Sequence, residues 1–451
     1  MKRRILALVL ALMLALASTA VFAEEIDFST WPLTDEQIQA LREDPFFMIG
    51  DKKPEEVTGK FIYWGWDEAE FTAIQNGMMA IYPNIEPVFV NVAYDDYLMK
   101  VTTAVASGAE VPDVMAMDVG FLGKFYELGI CDDLTAAPYN LDPSVLVDFT
   151  AGIAKDFDGV LRATPNIGPA GCTYYKRDLA IKYFGTDDPE VIGEKISTWD
   201  KFIETGIELK EKSNGECYMI AGLDSVRQAM VRQVTDPWVD PETGTLYTET
   251  VFKEMFDTCQ RINEAGIAGP YDADTAAWNA AIAGKDVFCY VGAMFYENWV
   301  IGNNDPEGRG NWAVVRSPGK PYTAGGIYWG VYSGAQNKDA AAAYIKYEAS
   351  EFGSAYKYYE QTFYPPTKLA YELGYLDQPS EVLGGQKPVS LYVSVIEDMG
   401  ENVPKCLPED GLMNNLTGFY LRAMQAGQGT ADELLAQMTD EFISRIPEYH
   451  R

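Results

Sequence analysis

Short apolar runs alternate with helical patterns from residue 59 to residue 118, and this alternation limits the fold more than any other feature. The runs 61–64, 88–92 and 114–117 have the length and apolar character of buried strands. Between them the apolar residues follow helical spacing, Phe71, Ile74, Met78 and Ile81 in the first helix and Tyr97, Leu98, Val101 and Val105 in the second. The β-α-β-α-β order predicts an α/β fold with a mostly parallel sheet and helices on both faces.

The same alternation returns in the second half of the chain, so we predict two lobes of this kind. Ser197-Thr198-Trp199-Asp200 begins a helix, 287–293 has the pattern of a strand, and 312–349 forms a further α/β stretch. Roughly 430 residues remain after the predicted signal peptide, more than one hydrophobic core normally serves. No Gly/Ser-rich linker separates the halves, which indicates that the chain crosses between the lobes more than once.

The first 23 residues have the three parts of a secretory signal peptide. Lys2, Arg3 and Arg4 precede an apolar run at 5–16 that is too short for a membrane span, and small residues precede Glu24. No cysteine follows the apolar run, so we predict export to the periplasm or the extracellular face of the envelope without a lipid anchor. A short N-terminal anchor is the alternative interpretation.

The composition excludes several classes of partner and of catalysis. With 67 acidic and 35 basic residues the chain has a formal net charge of −32, which repels phosphate backbones and excludes nucleic acid as a partner. The six cysteines include no C-x-x-C pair, so no zinc site is predicted, and they could remain buried thiols or form disulfides. The single histidine, His450, excludes Ser-His-Asp and Cys-His catalysis. We predict no cofactor and no transition metal, while a calcium site and a carboxylate-pair glycosidase stay open.

Aromatic side chains are concentrated where predicted strands end. Trp66 follows the first strand, Trp299 follows the strand at 287–293, Tyr328 and Trp329 follow a Gly-Gly pair, and Tyr364 precedes two prolines. Ligands of open α/β sheets bind beyond the carboxyl ends of the strands, so these five rings are predicted to face a cleft. Flat aromatic faces suit the C–H faces of sugar rings, and acids or amides nearby suit the hydroxyls. For each ring alone, packing in the core is the alternative.

Seven short segments carry a family resemblance through their order and spacing. They are 59–64 (GKFIYW), 82–85 (YPNI), 105–114 (VASGAEVPDV), 174–179 (YYKRDL), 197–202 (STWDKF), 291–299 and 325–341. Together they resemble the extracellular solute-binding proteins of bacterial ABC importers, in the sugar-binding group (family 1) that includes maltose-binding protein. The resemblance extends from about residue 59 to the C-terminus.

This resemblance implies the layout of the lobes. It implies two lobes joined by three crossings, with a ligand clamped between them by hinge closure. The first lobe would consist of residues 59–164 and 301–352, and the second of residues 165–300 and 353–451. Residues 24–58 would form an N-terminal extension outside the site.

The resemblance also implies which residues meet the ligand and what the protein does. Carried over by position, Trp66, Asp67 and Asp118 approach the ligand from the first lobe and Trp299 from the second. The three other cleft-facing rings named above complete the candidate set. The expected protein is a monomer that captures a mono- or oligosaccharide and delivers it to the membrane permease of an ABC transporter, without catalysis. The same fold binding a polyamine, a peptide or another small organic solute is the alternative, and an exported carbohydrate-active enzyme is a further one.

Overall fold

The computed structural model describes residues 26–168, 170–372, 374, 376–400, 403 and 405–451. The predicted signal peptide at 1–23 lies outside these residues. Within them, no helix combines the length and the apolar character that crossing a membrane would need.

Two β-sheets organise the described part of the chain. The strands are β1 (Gly59–Gly65), β2 (Ile85–Asn91), β3 (Val114–Asp118), β4 (Thr164–Pro165), β5 (Gly171–Lys176), β6 (Tyr218–Ile220), β7 (Val239–Asp240), β8 (Thr245–Leu246), β9 (Val287–Ala293), β10 (Trp312–Arg316) and β11 (Ile327–Val331). The first sheet has the order β2-β1-β3-β11-β4 and the second the order β10-β5-β9-β6, while β7 and β8 form a separate ribbon.

Helices fill the connections between these strands. They are α1 (Asp35–Arg42), α2 (Glu68–Met79), α3 (Tyr94–Ser107), α4 (Leu122–Leu128), α5 (Asp148–Ile153), α6 (Arg177–Phe184), α7 (Pro189–Lys195), α8 (Trp199–Lys212), α9 (Leu223–Gln233), α10 (Thr248–Val251), α11 (Lys253–Ala265), α12 (Ala276–Ala283), α13 (Lys338–Glu348), α14 (Glu351–Gln361), α15 (Lys368–Glu372), α16 (Val389–Met399), α17 (Asp410–Gln425) and α18 (Ala431–Arg445). After β9, a 3-10 turn (Met294–Tyr296) leads directly into a π-helix (Glu297–Gly302). Such π-helical turns occur frequently at functional sites.

The first sheet confirms the β-α-β-α-β order predicted for residues 59–118. β1 pairs in parallel with β2 and with β3, and α2 and α3 connect these strands. β11 joins from much later in the chain and runs antiparallel to β3, with Ile327 opposite Asp118. The first residue of β11 therefore lies at the edge of the sheet where β3 ends.

The second sheet is mixed and is buried on both faces. β5 pairs antiparallel with β9 and with β10, while β6 pairs in parallel with β9. Neighbouring residues of β5 belong to different cores, because Tyr174 packs in one cluster with Tyr290 and Trp312 and Tyr175 packs in another with Phe288. Successive side chains of a strand point to opposite faces, so both faces of this sheet are covered. Among the described residues, a ligand can therefore approach this sheet at the edges beyond its strand ends.

The lobe boundaries differ from those that the resemblance implied. β10 lies in the second sheet, although the predicted boundary puts residues 301–352 in the first lobe. The chain returns to the first sheet only between Arg316 and Ile327. At the other end, α14 buries Phe352 and Tyr356 in the first core, so the first lobe extends beyond residue 352. The apolar run of β10 fits either sheet, and only its pairing with the distant β5 decides between them.

The described part of the predicted N-terminal extension, residues 26–58, is built into the first lobe. Trp31, Phe47 and Val57 are buried in its core. The indole nitrogen of Trp31 donates a hydrogen bond of 2.6 Å to the carboxylate of Glu360, near the end of α14. This segment is a structural part of the lobe, whereas the sequence predicted an appended one.

The cysteines are free thiols, and five of the six are buried. Burial raises the pKa of Cys131 and of Cys259 to about 12, so both stay protonated at neutral pH. Across the described ranges, no group of three or more His, Cys, Asp or Glu side chains is arranged to hold a metal ion.

Candidate ligand-binding cleft

A cavity of about 480 Å³ opens at the edge of the second sheet. Its walls come from α9, α12, the end of β9, the π-helix and residues 322–325. The aromatic residues in these walls are Trp278, Phe295, Tyr296, Trp299 and Tyr322. The polar ones are Gln228, Arg232, Asp274, Asn279, Asn303 and Asn304. Aromatic rings and polar side chains thus share this wall, and the volume is within the range of pockets for small organic ligands.

Trp299 lies in the wall of this cavity, on the lobe to which the resemblance assigned it. Its position on the π-helix leaves the side chain 48% exposed. One side of the indole leans against the ring of Phe363, with the ring centroids 5.6 Å apart and the planes inclined by 34°. A large ring that is supported on one side and open on the other can stack on a flat ligand.

Arg232 presents a cation to the same cavity from α9. Its guanidinium donates a hydrogen bond of 2.8 Å to the backbone carbonyl of Gln228. Burial and the neighbouring Arg227 lower the pKa of Arg232, while Asp118 of the first lobe acts in the opposite direction. Asp274, on the loop before α12, adds a carboxylate whose pKa is raised chiefly by burial. The cavity therefore offers a charged donor and a charged acceptor to one ligand.

Sequence reasoning missed this polar wall. Arg232 and Gln228 belong to an amphipathic helix, where polar residues normally face solvent, and Asp274 lies in a loop without a recognisable motif. Only Asn303 and Asn304 had a usable signal, because they follow Trp299 by about one helical turn.

Trp66 and Asp118 lie together at the edge of the first sheet. The ring of Trp66 contacts Tyr94 edge-on, with the centroids 5.1 Å apart. The carboxylate of Asp118 lies near the Tyr94 hydroxyl, whose pKa is raised by burial and by this carboxylate, and it accepts a hydrogen bond of 2.7 Å from the backbone N–H of Gly120. Burial raises the pKa of Asp118. The backbone N–H of Val119 donates a hydrogen bond of 3.2 Å to the carbonyl of Gly326, next to Gly325 of the cavity wall, so this edge of the first lobe adjoins the cavity.

Asp67 has a structural role at the start of α2. Its Oδ1 accepts hydrogen bonds of 2.9 and 3.0 Å from the backbone N–H groups of Ala69 and Glu70 and so caps the helix. Burial and the charge of Asp67 raise the pKa of Glu70 to about 7. The side-chain amide of Asn166 donates to Glu70 at 3.1 Å, which links α2 to the first crossing between the lobes.

The three remaining candidate rings lie in the cores and not in the cleft. Trp329 is fully buried, and its indole nitrogen donates a hydrogen bond of 2.9 Å to Glu348. Tyr328 is 1% exposed, on the other side of the same strand. Tyr364 is buried with its hydroxyl 3.0 Å from the carboxylate of Glu297. The prediction that these rings face a ligand is corrected by their burial.

The direction of β11 explains why Tyr328 and Trp329 are buried. β11 runs antiparallel to β3, so the open edge meets the start of β11 and not its end. Trp329 pairs with Ala116, two positions inside the sheet from Asp118. The residues that reach the cavity here are Ala324 and Gly325, which precede the strand.

The groups around the cavity suit binding. One exposed ring can stack on a flat face, while a guanidinium, a carboxylate and several amides can exchange hydrogen bonds with a polar ligand. The single histidine of the chain, His450, lies beside Thr245 on the β7–β8 ribbon and is not part of the cavity wall.

The family of this chain follows from a comparison of its sequence. The sequence model of the family described as bacterial extracellular solute-binding protein matches residues 59–379, more than half of the chain. The chain belongs to the bacterial extracellular solute-binding proteins. In this solute-binding protein the matched region contains all the strands of the two sheets, together with Trp66, Asp118 and Trp299.

Several known proteins are similar to this solute-binding protein over most of its length. The lactose-binding protein of Rhizobium radiobacter is 26% identical over 314 residues, which are 64% of this chain and 69% of the relative. The structure of the GacH receptor of Streptomyces glaucescens has a TM-score of 0.69 at 18% identity and covers 88% of this chain and 100% of its own. The ABC transporter associated binding protein of B. animalis subsp. lactis, solved with β-1,6-galactobiose, has a TM-score of 0.66 at 19% identity and covers 86% and 97%. These structures share the fold and confirm the expected two-lobed α/β architecture.

Proposed function

We propose that this solute-binding protein captures a carbohydrate, a mono- or oligosaccharide, in the cleft between its lobes. The observation that carries the proposal is the cavity wall, where an exposed Trp299 lies with Arg232, Asp274 and amide side chains. An indole stacks on the C–H face of a sugar ring, while amides and charged groups bond to the hydroxyls around its rim. Asp118 and Arg232 offer an acceptor and a donor from opposite lobes, which suits a ligand rich in hydroxyl groups.

The ligands of similar proteins support this class. The Rhizobium relative is named for lactose, and the Streptomyces and B. animalis structures were solved with acarbose and with β-1,6-galactobiose. All of them are 26% identical or less, so they support a class of ligand and not an individual sugar.

We further propose that the protein is exported and delivers its ligand, unchanged, to the membrane permease of an ABC transporter as a monomer. The family is extracellular, and the B. animalis protein is described as associated with an ABC transporter. The predicted signal peptide at 1–23 supports export. Delivery without turnover agrees with the family, which is described as one of solute-binding proteins.

Calorimetric titration of the purified protein tests the ligand class. The probes are lactose, maltose, β-1,6-galactobiose and lacto-N-biose. We expect at least one of them to bind, to be recovered intact after overnight incubation, and to reduce the radius of gyration measured by small-angle scattering as the lobes close.

Spermidine and a short basic peptide test the alternative ligand class in the same assay. A cationic ligand would use the acidic groups of the cleft, and its affinity would fall with ionic strength, whereas that of a neutral sugar would not. Salt-sensitive binding of spermidine, with no binding of the four sugars, would contradict the proposal. Release of monosaccharide from any of the four sugars would contradict delivery without turnover.

A further inference from the structure

Three consecutive residues of the π-helix contact three consecutive residues of the segment that follows α14. The carboxylate of Glu297 accepts a hydrogen bond of 3.0 Å from the Tyr364 hydroxyl. The side-chain amide of the next residue, Asn298, donates to the backbone carbonyl of Thr362 at 3.1 Å. Trp299, the third, packs its ring on Phe363. The ring that faces the ligand is therefore fixed to this segment by its own contact and by those of the two residues before it.

The segment 362–364 is a connection between the lobes. It follows α14, whose apolar residues lie in the first core, and Tyr364 lies in the core on one face of the second sheet. Thr362 ends α14 in the left-handed conformation, at φ 58°, which a β-branched residue seldom adopts. Such local strain persists only where surrounding contacts hold it, and it is concentrated at functional and moving parts of proteins.

The first crossing between the lobes meets this later connection at the same place. The backbone N–H of Gly168, in the crossing between β4 and β5, donates a hydrogen bond of 2.9 Å to the carbonyl of Tyr364. A Cβ atom at Gly168 would lie 2.8 Å from the Tyr371 hydroxyl and 3.1 Å from the Pro365 carbonyl, so the two crossings pack closely. Glu297 is held from the second lobe as well, by a hydrogen bond of 2.9 Å from Tyr392 of α16. The π-helix thus joins Tyr392, in a core of the second lobe, to the place where the crossings meet.

We propose that Asn298 and Phe363 are positioning residues that fix Trp299 to the crossing after α14, so that the ligand-stacking ring and the hinge move as one unit. A ligand that stacks on Trp299 then acts directly on the segment whose backbone must turn when the lobes close. The proposal rests on the proposed function for the identity of the ligand, and on the contacts above for the connection. It assigns Phe363 a part in affinity although the residue lies outside the cavity wall.

A double-mutant cycle measures this connection through ligand affinity. The variants are Phe363→Leu, Trp299→Ala and the combination, titrated with whichever of the four sugars binds the wild type most tightly. Phe363→Leu should raise the dissociation constant about 2- to 10-fold, which corresponds to the interaction free energy of one aromatic pair. In the Trp299→Ala background the same change should alter the dissociation constant less than 2-fold, because Phe363 acts on the ligand through the Trp299 ring and that ring is absent. Equal effects of Phe363→Leu in both backgrounds would overturn the proposal.

Amide hydrogen exchange of the ligand-free protein tests the connection without any sugar. Phe363→Leu and Asn298→Ala should each make the amides of 297–302 exchange at least about fivefold faster than in the wild type, because the segment loses an anchor. The matched control is Phe419→Leu, on α17, where the ring is exposed and not in the cavity wall. Unchanged exchange at 297–302 in both variants would refute the positioning role. If none of the sugars binds the wild type while exchange still rises, the proposed function fails and the connection between π-helix and crossing stands.

Discussion

Replacing Trp329 and Trp299 by alanine, one at a time, should produce opposite patterns of damage. Trp329 is fully buried, and its indole nitrogen is bonded to Glu348, which also pairs with Lys357 at 2.5 Å. Its removal leaves a cavity and takes one donor from a buried carboxylate. The free energy of unfolding should fall by about 3–5 kcal/mol. For a protein with lobes of this size, that loss corresponds to a melting temperature lower by roughly 6–20 °C.

Trp299 differs because nearly half of its side chain is exposed and its main contact is one ring, Phe363. Trp299→Ala should change the free energy of unfolding by less than about 1 kcal/mol. It should instead remove a stacking face, at roughly 1–3 kcal/mol of binding free energy, or about 5- to 150-fold in the dissociation constant.

Calorimetric titration and differential scanning calorimetry on both variants separate the two effects. The titrations use the sugar that binds the wild type, at a temperature well below either melting transition. If Trp299→Ala bound that sugar normally but melted as early as Trp329→Ala, Trp299 would be a core residue and the reasoning about the cleft would be refuted. Normal melting of Trp329→Ala would refute the burial argument for that ring.

Three further predictions concern stability. Burial raises the pKa of Glu70 from 4.5 to about 7, so the folded state binds more protons than the unfolded state between these values and the free energy of unfolding falls as the pH rises through them. Glu70→Gln should remove this pH dependence and stabilise the protein at pH 8 by up to about 3 kcal/mol. Urea unfolding at several pH values checks this, and an equal fall in the free energy of unfolding with pH in both proteins would contradict it. Deleting residues 26–58 should lower the melting temperature by at least about 10 °C, because the core partners of Trp31 and Phe47 become exposed; a normal melting curve would show that the segment is an appendage. The six thiols should all react with Ellman's reagent in denaturant, and a reducing agent should not change the melting temperature; a measurable drop would reveal a disulfide.

Local sequence rules predicted the elements of this fold because those elements depend on neighbouring residues. The capping boxes of Thr34 with Gln37 and of Thr430 with Glu433 both begin helices, and such boxes are visible in the sequence. The apolar run at 61–64 forms the middle of β1. The order of elements then followed from the rule that parallel strands need helical connections.

Pairing between distant strands could not be predicted in the same way. The run 312–316 has the same character as a strand of the first sheet, and only the contacts of β10 with β5 place it in the second. The same limit affected the site. Trp299 follows a strand that ends at the open edge, whereas Trp329 lies in one that begins there, and sequence shows no difference between the two cases. Arg232 was missed because its exposure to the cavity comes from the docking of α9 on the second sheet.

The hydrophobic cores of both lobes include residues from late in the chain, and this determines when each core can be completed. Trp31 is bonded to Glu360, 329 positions later, and the first core also contains α13 and α14. The second sheet has its last strand by Arg316, but α17 and α18 cover one of its faces. A chain emerging from the ribosome therefore lacks part of both cores until almost all of it has been made, since contacts of such long sequence separation form late. Delayed completion of this kind leaves both cores open for most of the time in which the chain is made.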